Sequence, residues 1–218
     1  MRLMRDFQEF VTHLKSLGYT PETVIDIGVA WGTPELYRTF PDAYFVLIEA
    51  LDHFEGDMQR ILSNVAGEYH LKGVGTERGS MTISLNLDAG ALAGANVLDR
   101  PTGGAKEFTV EIDTVDAILA KTPVVQGALL KLDVQGADYR ALQHATHTLS
   151  KCDVAIVEAS LTNSRNHVRD ITNLMHDRGF KLYEVFGPLN RPHDDAQGQV
   201  DLAFVRLGHP LIAYEGWV

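Results

Sequence analysis

The sequence predicts an α/β fold with one mostly parallel β-sheet and helices on both of its faces. Short apolar runs alternate along the chain with segments of helical periodicity, which is the pattern of repeated strand–helix units. Two of the runs, ALLKLD at 128–133 and VAIVE at 154–158, are almost continuously apolar, as parallel strands buried on both faces are. The first run, at 24–27, leads directly into a glycine-containing turn and then a helix. A ligand is therefore expected at the carboxyl ends of the strands.

Each element has its own signal in the sequence. An N-terminal helix is predicted within residues 1–20, because apolar side chains recur at helical spacing from Phe7 to Leu17. The remaining chain, residues 21–218, is expected to form a single domain. Apolar or alternating runs predict strands at 24–27, 43–49, 69–75, 81–85, 108–112, 128–133, 154–158, 181–186 and 201–206. Periodicity predicts helices at 34–40, 53–62, 115–120, 139–149 and 165–178.

Local signals add detail to this order. The run at 108–112 alternates polar and apolar residues and is expected to pair with 81–85 as an extra β-hairpin. Thr33 followed by Pro34 predicts a helix start, with a hydroxyl N-cap and proline at the first helical position. Segments 86–104 and 187–198 lack a clear period, and each is interpreted either as a functional lid or as an ordinary surface loop.

Charge and composition limit the classes of partner. The chain has 19 basic and 29 acidic residues among 218, a formal net charge of −10. This charge disfavours nucleic acid, whose binding depends on phosphate neutralisation, and favours a small neutral or cationic ligand. No apolar run is long enough to span a membrane, and acidic residues interrupt the N-terminal apolar stretch, unlike a signal peptide. The single cysteine excludes an internal disulfide, so we expect a cytoplasmic protein, with homo-oligomerisation left open.

The first strand ends in DIGVAWG at 26–32, which has the pattern of a nucleotide-binding turn. Glycines let the backbone approach a ligand closely, and the following helix start offers free N–H groups. Ala30 occupies the position of the middle glycine of a dinucleotide fingerprint and hinders a pyrophosphate there. A ligand with a carboxylate and no phosphate is favoured, and the amino-acid tail of S-adenosylmethionine meets that description. The residues expected to contact the cofactor here are Asp26, Gly28, Ala30, Trp31 and Gly32.

Two later strand ends extend this predicted cofactor site. Glu49 ends the second strand about twenty residues beyond the glycine turn, where an acidic side chain can accept hydrogen bonds from both ribose hydroxyls. Ala50 follows it and is assigned to the same site. At the end of the third strand, Thr76 or Glu77 would lie beside the adenine if the strand order is doubly wound; exposed turn residues are the alternative interpretation.

Five blocks of the chain form a recognisable set, namely TVIDIGVAWGT at 23–33, FVLIE at 45–49, TVEIDTVDAI at 109–118, LLKLDVQGAD at 129–138 and VAIVE at 154–158. Together they resemble the FkbM-type S-adenosylmethionine-dependent methyltransferases. The resemblance covers roughly residues 21–206. It implies a Rossmann-like class I methyltransferase fold with a mostly parallel seven-stranded sheet, S-adenosylmethionine as cofactor, and O-methylation of a sugar or secondary-metabolite hydroxyl. The chain departs from the family at Ala30, usually Asn, and at Gln135 and Asp138, both usually Glu.

Candidates for the transfer chemistry lie mainly on the fourth and fifth strand ends. Asp133 is the first candidate for orienting the acceptor or taking its proton; capping the next turn is the alternative. Gln135 follows on the same loop as a second catalytic candidate. His193, in the polar late loop, is a third because a histidine titrates near neutral pH. The residues assigned to substrate binding are Asp138, Glu158 and Asp194. No metal site is predicted, since His144 and His147 lack a third ligand.

Three functions stay open at this stage. The first is transfer of a methyl group to the hydroxyl of a small-molecule acceptor. The second is a methyltransferase-like binding or assembly module that has lost catalysis, because Gln135 and Ala30 depart from the family pattern. The third is an NAD-linked oxidoreductase, against which the missing middle glycine counts.

Overall fold

The fold is that of a computed structural model that describes residues 4–85, 106–162, 168–214 and 216. The segment 86–104, interpreted above as a lid or a surface loop, lies outside the described residues. Ten strands and seven α-helices form the described part of the chain. The strands are β1 Thr23–Ile27, β2 Tyr44–Glu49, β3 Gly67–Leu71, β4 Gly73–Val74, β5 Gly79–Leu85, β6 Lys106–Asp113, β7 Ala128–Leu132, β8 Cys152–Ser160, β9 Phe180–Asn190 and β10 Gln197–Arg206. The helices are α1 Phe7–Ser16, α2 Pro34–Thr39, α3 Glu55–Leu62, α4 Val115–Ile118, α5 Asp138–Gln143, α6 Thr146–Lys151 and α7 Val168–Asp177.

Seven strands form the central sheet, in the order β3-β2-β1-β7-β8-β10-β9. Strands β1, β2, β3, β7 and β8 pair in parallel, whereas β10 runs antiparallel to both of its neighbours. The order reverses between β1 and β7, which places the switch point of the sheet where these two strands end. This Rossmann-like, mostly parallel seven-stranded sheet confirms the predicted fold class.

Helices cover both faces of the sheet because successive strand residues point in opposite directions. On β2, Phe45 and Leu47 join the core under α1, α2 and α3, whereas Val46 and Ile48 join the core under α4 to α7. Every residue of β1 and of β7 is buried, which explains the near-continuous apolar sequence of these strands. No helix in the described ranges is both long and apolar enough to cross a lipid bilayer.

A smaller three-stranded sheet lies beside the carboxyl end of β2. Strands β5 and β6 pair antiparallel in the register Gly79↔Ile112 to Leu85↔Lys106, and β4 pairs with β6 in parallel. This pairing confirms the predicted extra β-hairpin. Its side chains Ile83 and Val110 pack on Leu51 and Phe54, which follow β2, and form a third apolar cluster.

Three local predictions differ from the structure. The run predicted as one strand at 69–75 divides at Lys72, because β3 joins the large sheet and β4 joins the small one. The helix predicted at 139–149 is two short helices, α5 and α6. The late segment 187–198 is strand at both of its ends: β9 runs on to Asn190 and β10 begins at Gln197, so that the two form a long hairpin whose turn lies between these residues. Its exposed polar side chains hide the strand periodicity.

The start of α2 also differs in detail from its prediction. Thr33 occupies the N-cap position and Pro34 the first helical position, but the Thr33 hydroxyl makes no capping hydrogen bond. The prediction of a hydroxyl cap is therefore wrong. The backbone N–H of Thr33 instead donates to the hydroxyl of Tyr37, at 2.9 Å. A side chain one turn further along the helix thus accepts from one of the backbone N–H groups that have no partner within the helix.

Candidate active site

The glycine turn after β1 packs directly against the turn after β7. Gly28 has φ +80°, and a Cβ at this position would lie 1.7 Å from the carbonyl oxygen of Asp133. Only glycine fits this contact, because any side chain would overlap the neighbouring backbone. Ala30 also adopts a left-handed conformation, with φ +45°, which an alanine tolerates at a cost. The two turns are thus held together at the switch point of the sheet.

Glu49 links the glycine turn to the end of β2. Its side chain is buried, and the carboxylate accepts hydrogen bonds from the backbone N–H groups of Ala30, at 2.9 Å, and Leu51, at 3.0 Å. Burial raises the pKa of Glu49, and the backbone hydrogen bonds together with the charge of Lys131 oppose that rise. The carboxylate therefore fixes the shape of the turn and still lines the cavity beside it.

Lys131 is a buried ammonium group at the centre of the site. Its Nζ lies 3.5 Å from a carboxylate oxygen of Asp26, 3.5 Å from one of Asp133, and 3.2 Å from the carbonyl oxygen of Gly28, to which it donates. Burial lowers the pKa of Lys131, but the carboxylates of Asp133 and Asp26 raise it, so that the net direction is upward. Asp26 is fully buried and also accepts a hydrogen bond from the Tyr37 hydroxyl at 2.7 Å.

A group of carboxyl side chains lies at the ends of β7, β8 and β10. The side-chain amide of Gln135 donates to Asp133 at 2.8 Å and to Glu158 at 3.3 Å, and that of Gln199 donates to Glu158 at 2.8 Å. Asp201 lies opposite Glu158 in the antiparallel pairing of β10 with β8.

Two of these carboxyl groups, Glu158 and Asp201, have a raised pKa and hold protons more tightly than free ones do. Burial, followed by the charges of Asp133 and Asp138, raises the pKa of Glu158. Burial and the charge of Asp133 raise the pKa of Asp201 to about 7, although Lys131 opposes this. Clustered acids with raised pKa values are typical of sites that move protons.

One cavity of about 480 Å³ joins the glycine turn to the carboxyl group cluster. Apolar side chains from the two sheets and from the segment after β2 form much of its wall, namely Ile48, Leu51, Phe54, Val74, Ile83, Val110 and Ile112. Phe7, the first residue of α1, and Leu189 of the late hairpin also line it. Over the residues with described positions, no group of three His, Cys, Asp or Glu side chains is arranged to hold a metal ion.

Most of the residues predicted for the site line this cavity. They are Gly28, Ala30, Trp31, Gly32, Glu49, Ala50, Asp133, Gln135 and Glu158. Asp26 lies behind the lining as the fully buried partner of Lys131 and Tyr37. Asp138 is also fully buried, and its carboxylate accepts hydrogen bonds from the backbone N–H groups of Val134, at 3.0 Å, and Gly136, at 3.1 Å. It shapes the turn after β7 from behind.

Four predicted residues lie elsewhere. Thr76 and Glu77 are exposed on the turn after β4 and do not line the cavity, because β4 turns away into the small sheet. His193 and Asp194 are exposed at the tip of the late hairpin, where Asp194 pairs with Arg191. The structure therefore does not bring Thr76 and Glu77 to the cofactor side of the cavity, nor His193 and Asp194 to the carboxyl cluster.

Three residues of the site were missed from the sequence. Lys131 carried a signal, because a lysine inside a buried apolar strand requires a charged partner. Asp201 and Gln199 had no such signal in the sequence. They lie in the first half of an antiparallel strand, which only tertiary pairing brings beside β8.

Comparison with solved structures gives a match with a TM-score above 0.5, which supports the fold, and others below that value. The magnesium protoporphyrin IX methyltransferase of Synechocystis PCC 6803, with bound S-adenosylmethionine, has a TM-score of 0.53 at 14% identity, with 94% of this chain and 86% of that chain covered. The same enzyme with S-adenosylhomocysteine has a TM-score of 0.49 at 14% identity, covering 90% and 80%. Precorrin-6y C5,15-methyltransferase of Geobacter metallireducens GS-15 has 0.46 at 9% identity, covering 91% and 87%.

Sequence comparison identifies the family. No curated protein matches the chain. The sequence model of the methyltransferase FkbM domain matches residues 26–182, which includes the glycine turn, Glu49, and the whole turn after β7. This match spans well over half of the chain, and the protein therefore belongs to the FkbM methyltransferase domain family.

Proposed function

We propose that this protein transfers the methyl group of S-adenosylmethionine to a hydroxyl group of a sugar or another small metabolite. The observation that carries the proposal is that one cavity has in its wall both the glycine turn with Glu49 and the carboxyl side chains at the ends of β7 and β8. The methyl donor and the methyl acceptor could bind side by side in this cavity, with no protein between them. The family assignment supports methyl transfer, and the chemistry of the lining supports a hydroxyl acceptor.

The residues around the glycine turn fit the cofactor. The volume of the cavity, about 480 Å³, is within the range of roughly 300–1,000 Å³ that is typical of sites for small molecules such as this cofactor. Glu49 offers carboxylate oxygens to the ribose hydroxyls, and Leu51, Phe54 and Val74 offer apolar surface to the adenine. The acidic lining suits a ligand with a positive sulfonium, and the bound cofactor supplies a methyl group on that sulfur.

The carboxyl ends of β7 and β8 fit a polar acceptor. Carboxylate and amide groups are the usual hydrogen-bond partners of hydroxyls, and Asp133, Gln135 and Glu158 present both kinds within one network. We assign Asp133 to orienting the acceptor hydroxyl. Alignment of acceptor and methyl group contributes most to such an in-line displacement, on the order of 7–11 kcal/mol of the barrier.

Binding and transfer are tested in two steps. Isothermal calorimetry measures the affinity for S-adenosylmethionine and S-adenosylhomocysteine, and the absence of binding by both at millimolar concentration would refute the proposal. Transfer is then followed with cofactor labelled in the methyl group and a panel of methyl glycosides, cyclitols and simple phenols. Cofactor binding without transfer to any of them would favour the binding or assembly module instead.

Replacement of Glu49 by glutamine is expected to weaken cofactor binding about tenfold to a hundredfold. Glutamine is nearly isosteric but has one acceptor oxygen where the carboxylate has two, and hydrogen bonds to a charged group contribute about 1.5–3 kcal/mol. Calorimetric Kd values for S-adenosylmethionine measure the effect. Glu77→Gln makes the same change on the exposed turn after β4 and is expected to leave the Kd unchanged. An equal loss in both variants would contradict the assignment of Glu49 to the cofactor.

A further inference from the structure

The carboxylate of Asp201 differs from those of Asp133 and Glu158 in accepting no hydrogen bond from the described residues. Asp133 accepts a hydrogen bond from Gln135 and lies 3.5 Å from the ammonium of Lys131. Glu158 accepts from both Gln135 and Gln199. Asp201 lines the same cavity, and its interactions with Asp133 and Lys131 are electrostatic only. Both of its carboxylate oxygens can therefore accept a hydrogen bond from a bound ligand.

The hairpin backbone makes room for this carboxyl group. Gly187 on β9 has φ +57°, and a Cβ there would lie 2.5 Å from Oδ2 of Asp201. Its backbone N–H donates to the carbonyl oxygen of Arg5 at 3.0 Å, which ties this point of the hairpin to the chain before α1. A side chain at residue 187 would displace the carboxylate, so the position of Asp201 depends on a glycine that belongs to no cofactor motif.

We propose that Asp201 is the catalytic base of the transfer, which accepts the proton of the acceptor hydroxyl. This inference rests on the proposed function. As the acceptor oxygen forms its bond to the methyl carbon, the carbon–sulfur bond breaks and its electron pair stays on sulfur. The hydroxyl proton moves to Asp201, whose carboxylate becomes a carboxylic acid. The products are the methyl ether, neutral S-adenosylhomocysteine and protonated Asp201, which releases its proton to water.

The surroundings of Asp201 suit this role. The charged and titratable groups that face it are Asp133 and Lys131 from β7 and its turn, and Glu158 from β8; its register partner on β9, Phe186, is apolar. Burial and the charge of Asp133 raise the pKa of Asp201 to about 7, against the opposing charge of Lys131. General-base catalysis is most effective when the pKa of the base lies near the working pH.

The first test compares Asp201→Asn with the wild-type protein on an acceptor that the wild type methylates in the panel above. The substitution is expected to lower kcat by about 10²- to 10⁴-fold, the usual contribution of a general base. Its Kd for S-adenosylmethionine should stay within twofold, which shows that the site is still folded. The wild-type rate should rise with pH through the pKa of Asp201, and this acid limb should be absent from the variant.

Gly187→Ala tests the same group by displacing it. The expected result is a large loss of kcat with cofactor affinity retained. Gly208→Ala is the matched comparison, because Gly208 also has a positive φ, +84°, but a Cβ added there would meet no atom within 4 Å. Gly208→Ala should introduce the same kind of backbone strain, from a side chain at positive φ, but should keep full activity.

The outcomes separate the two claims. Full activity of Asp201→Asn, or an unchanged acid limb in its pH profile, would overturn the assignment of the base while leaving the proposed function intact. Failure of the wild type to methylate any acceptor would overturn the proposed function, and the base would fall with it.

Discussion

Replacement of Lys131 by methionine is expected to destabilise the fold by about 3–5 kcal/mol, because it leaves a buried carboxylate without its counter-ion. Asp26 is fully buried in β1 and would keep only the hydrogen bond from the Tyr37 hydroxyl. Methionine retains most of the volume of the lysine stem, so the loss reports charge rather than packing. Urea unfolding at neutral pH measures it as a lower midpoint with an unchanged slope.

Two comparisons separate the charge effect from other causes. Adding Asp26→Asn to Lys131→Met removes the unpaired charge and is expected to recover most of the lost stability. Lys72→Met changes a lysine that lines the same cavity but pairs with Glu111 at the surface, 3.7 Å away, and should cost about 1 kcal/mol at most. A loss below about 1 kcal/mol for Lys131→Met, in the same range as an exposed pair, would contradict the central role of this ammonium.

The parts of the fold that the sequence predicted are those in which local pattern and tertiary position agree. Buried parallel strands such as β7 and β8 must be apolar on both faces, so their sequences are diagnostic. The two late strands were predicted at 181–186 and 201–206, but not their extension into 187–190 and 197–200, where the hairpin runs on past the end of β8. There, exposed side chains on both faces remove the alternation that identifies a strand.

The residues of the site likewise divide into those that the sequence predicted and those that it did not. Gly28, Glu49 and Asp133 follow strands that end at one edge of the sheet, so strand order alone brings them together. Asp201 reaches that edge from the antiparallel strand β10, in the first half of the strand and not at its carboxyl end. The rule that ligands bind at the carboxyl ends of strands therefore does not identify it. Thr76 and Glu77 were predicted by the same rule but do not line the cavity, since β4 belongs to the small sheet and not to the main one.

The structure also explains what changes when Gln135 stands where the family usually has glutamate. Gln135 has φ +50°, and its amide donates to both Asp133 and Glu158. A glutamate in this position would bring a third carboxylate into contact with two others and could donate only when protonated. The glutamine instead provides a donor that needs no protonation, and its amide bridges Asp133 and Glu158.

Gly28→Ala is the second substitution for which we expect a large effect, about 3–5 kcal/mol of lost stability together with loss of cofactor binding. The new Cβ would lie 1.7 Å from the carbonyl oxygen of Asp133, which is backbone and cannot rotate away. The turns after β1 and β7 must separate, and the cavity wall that both of them form opens with them.

The contribution of the clash is isolated by comparison with Gly18→Ala. Gly18 has nearly the same backbone conformation, φ +87° against +80°, but has no atom within 4 Å of an added Cβ. Its substitution should cost only the left-handed strain of about 1–2 kcal/mol and leave the Kd for S-adenosylmethionine unchanged. Denaturant unfolding and calorimetry on both variants measure the difference. Equal losses would mean that the contact between the two turns does not shape the site, because strain alone would then account for the requirement for glycine.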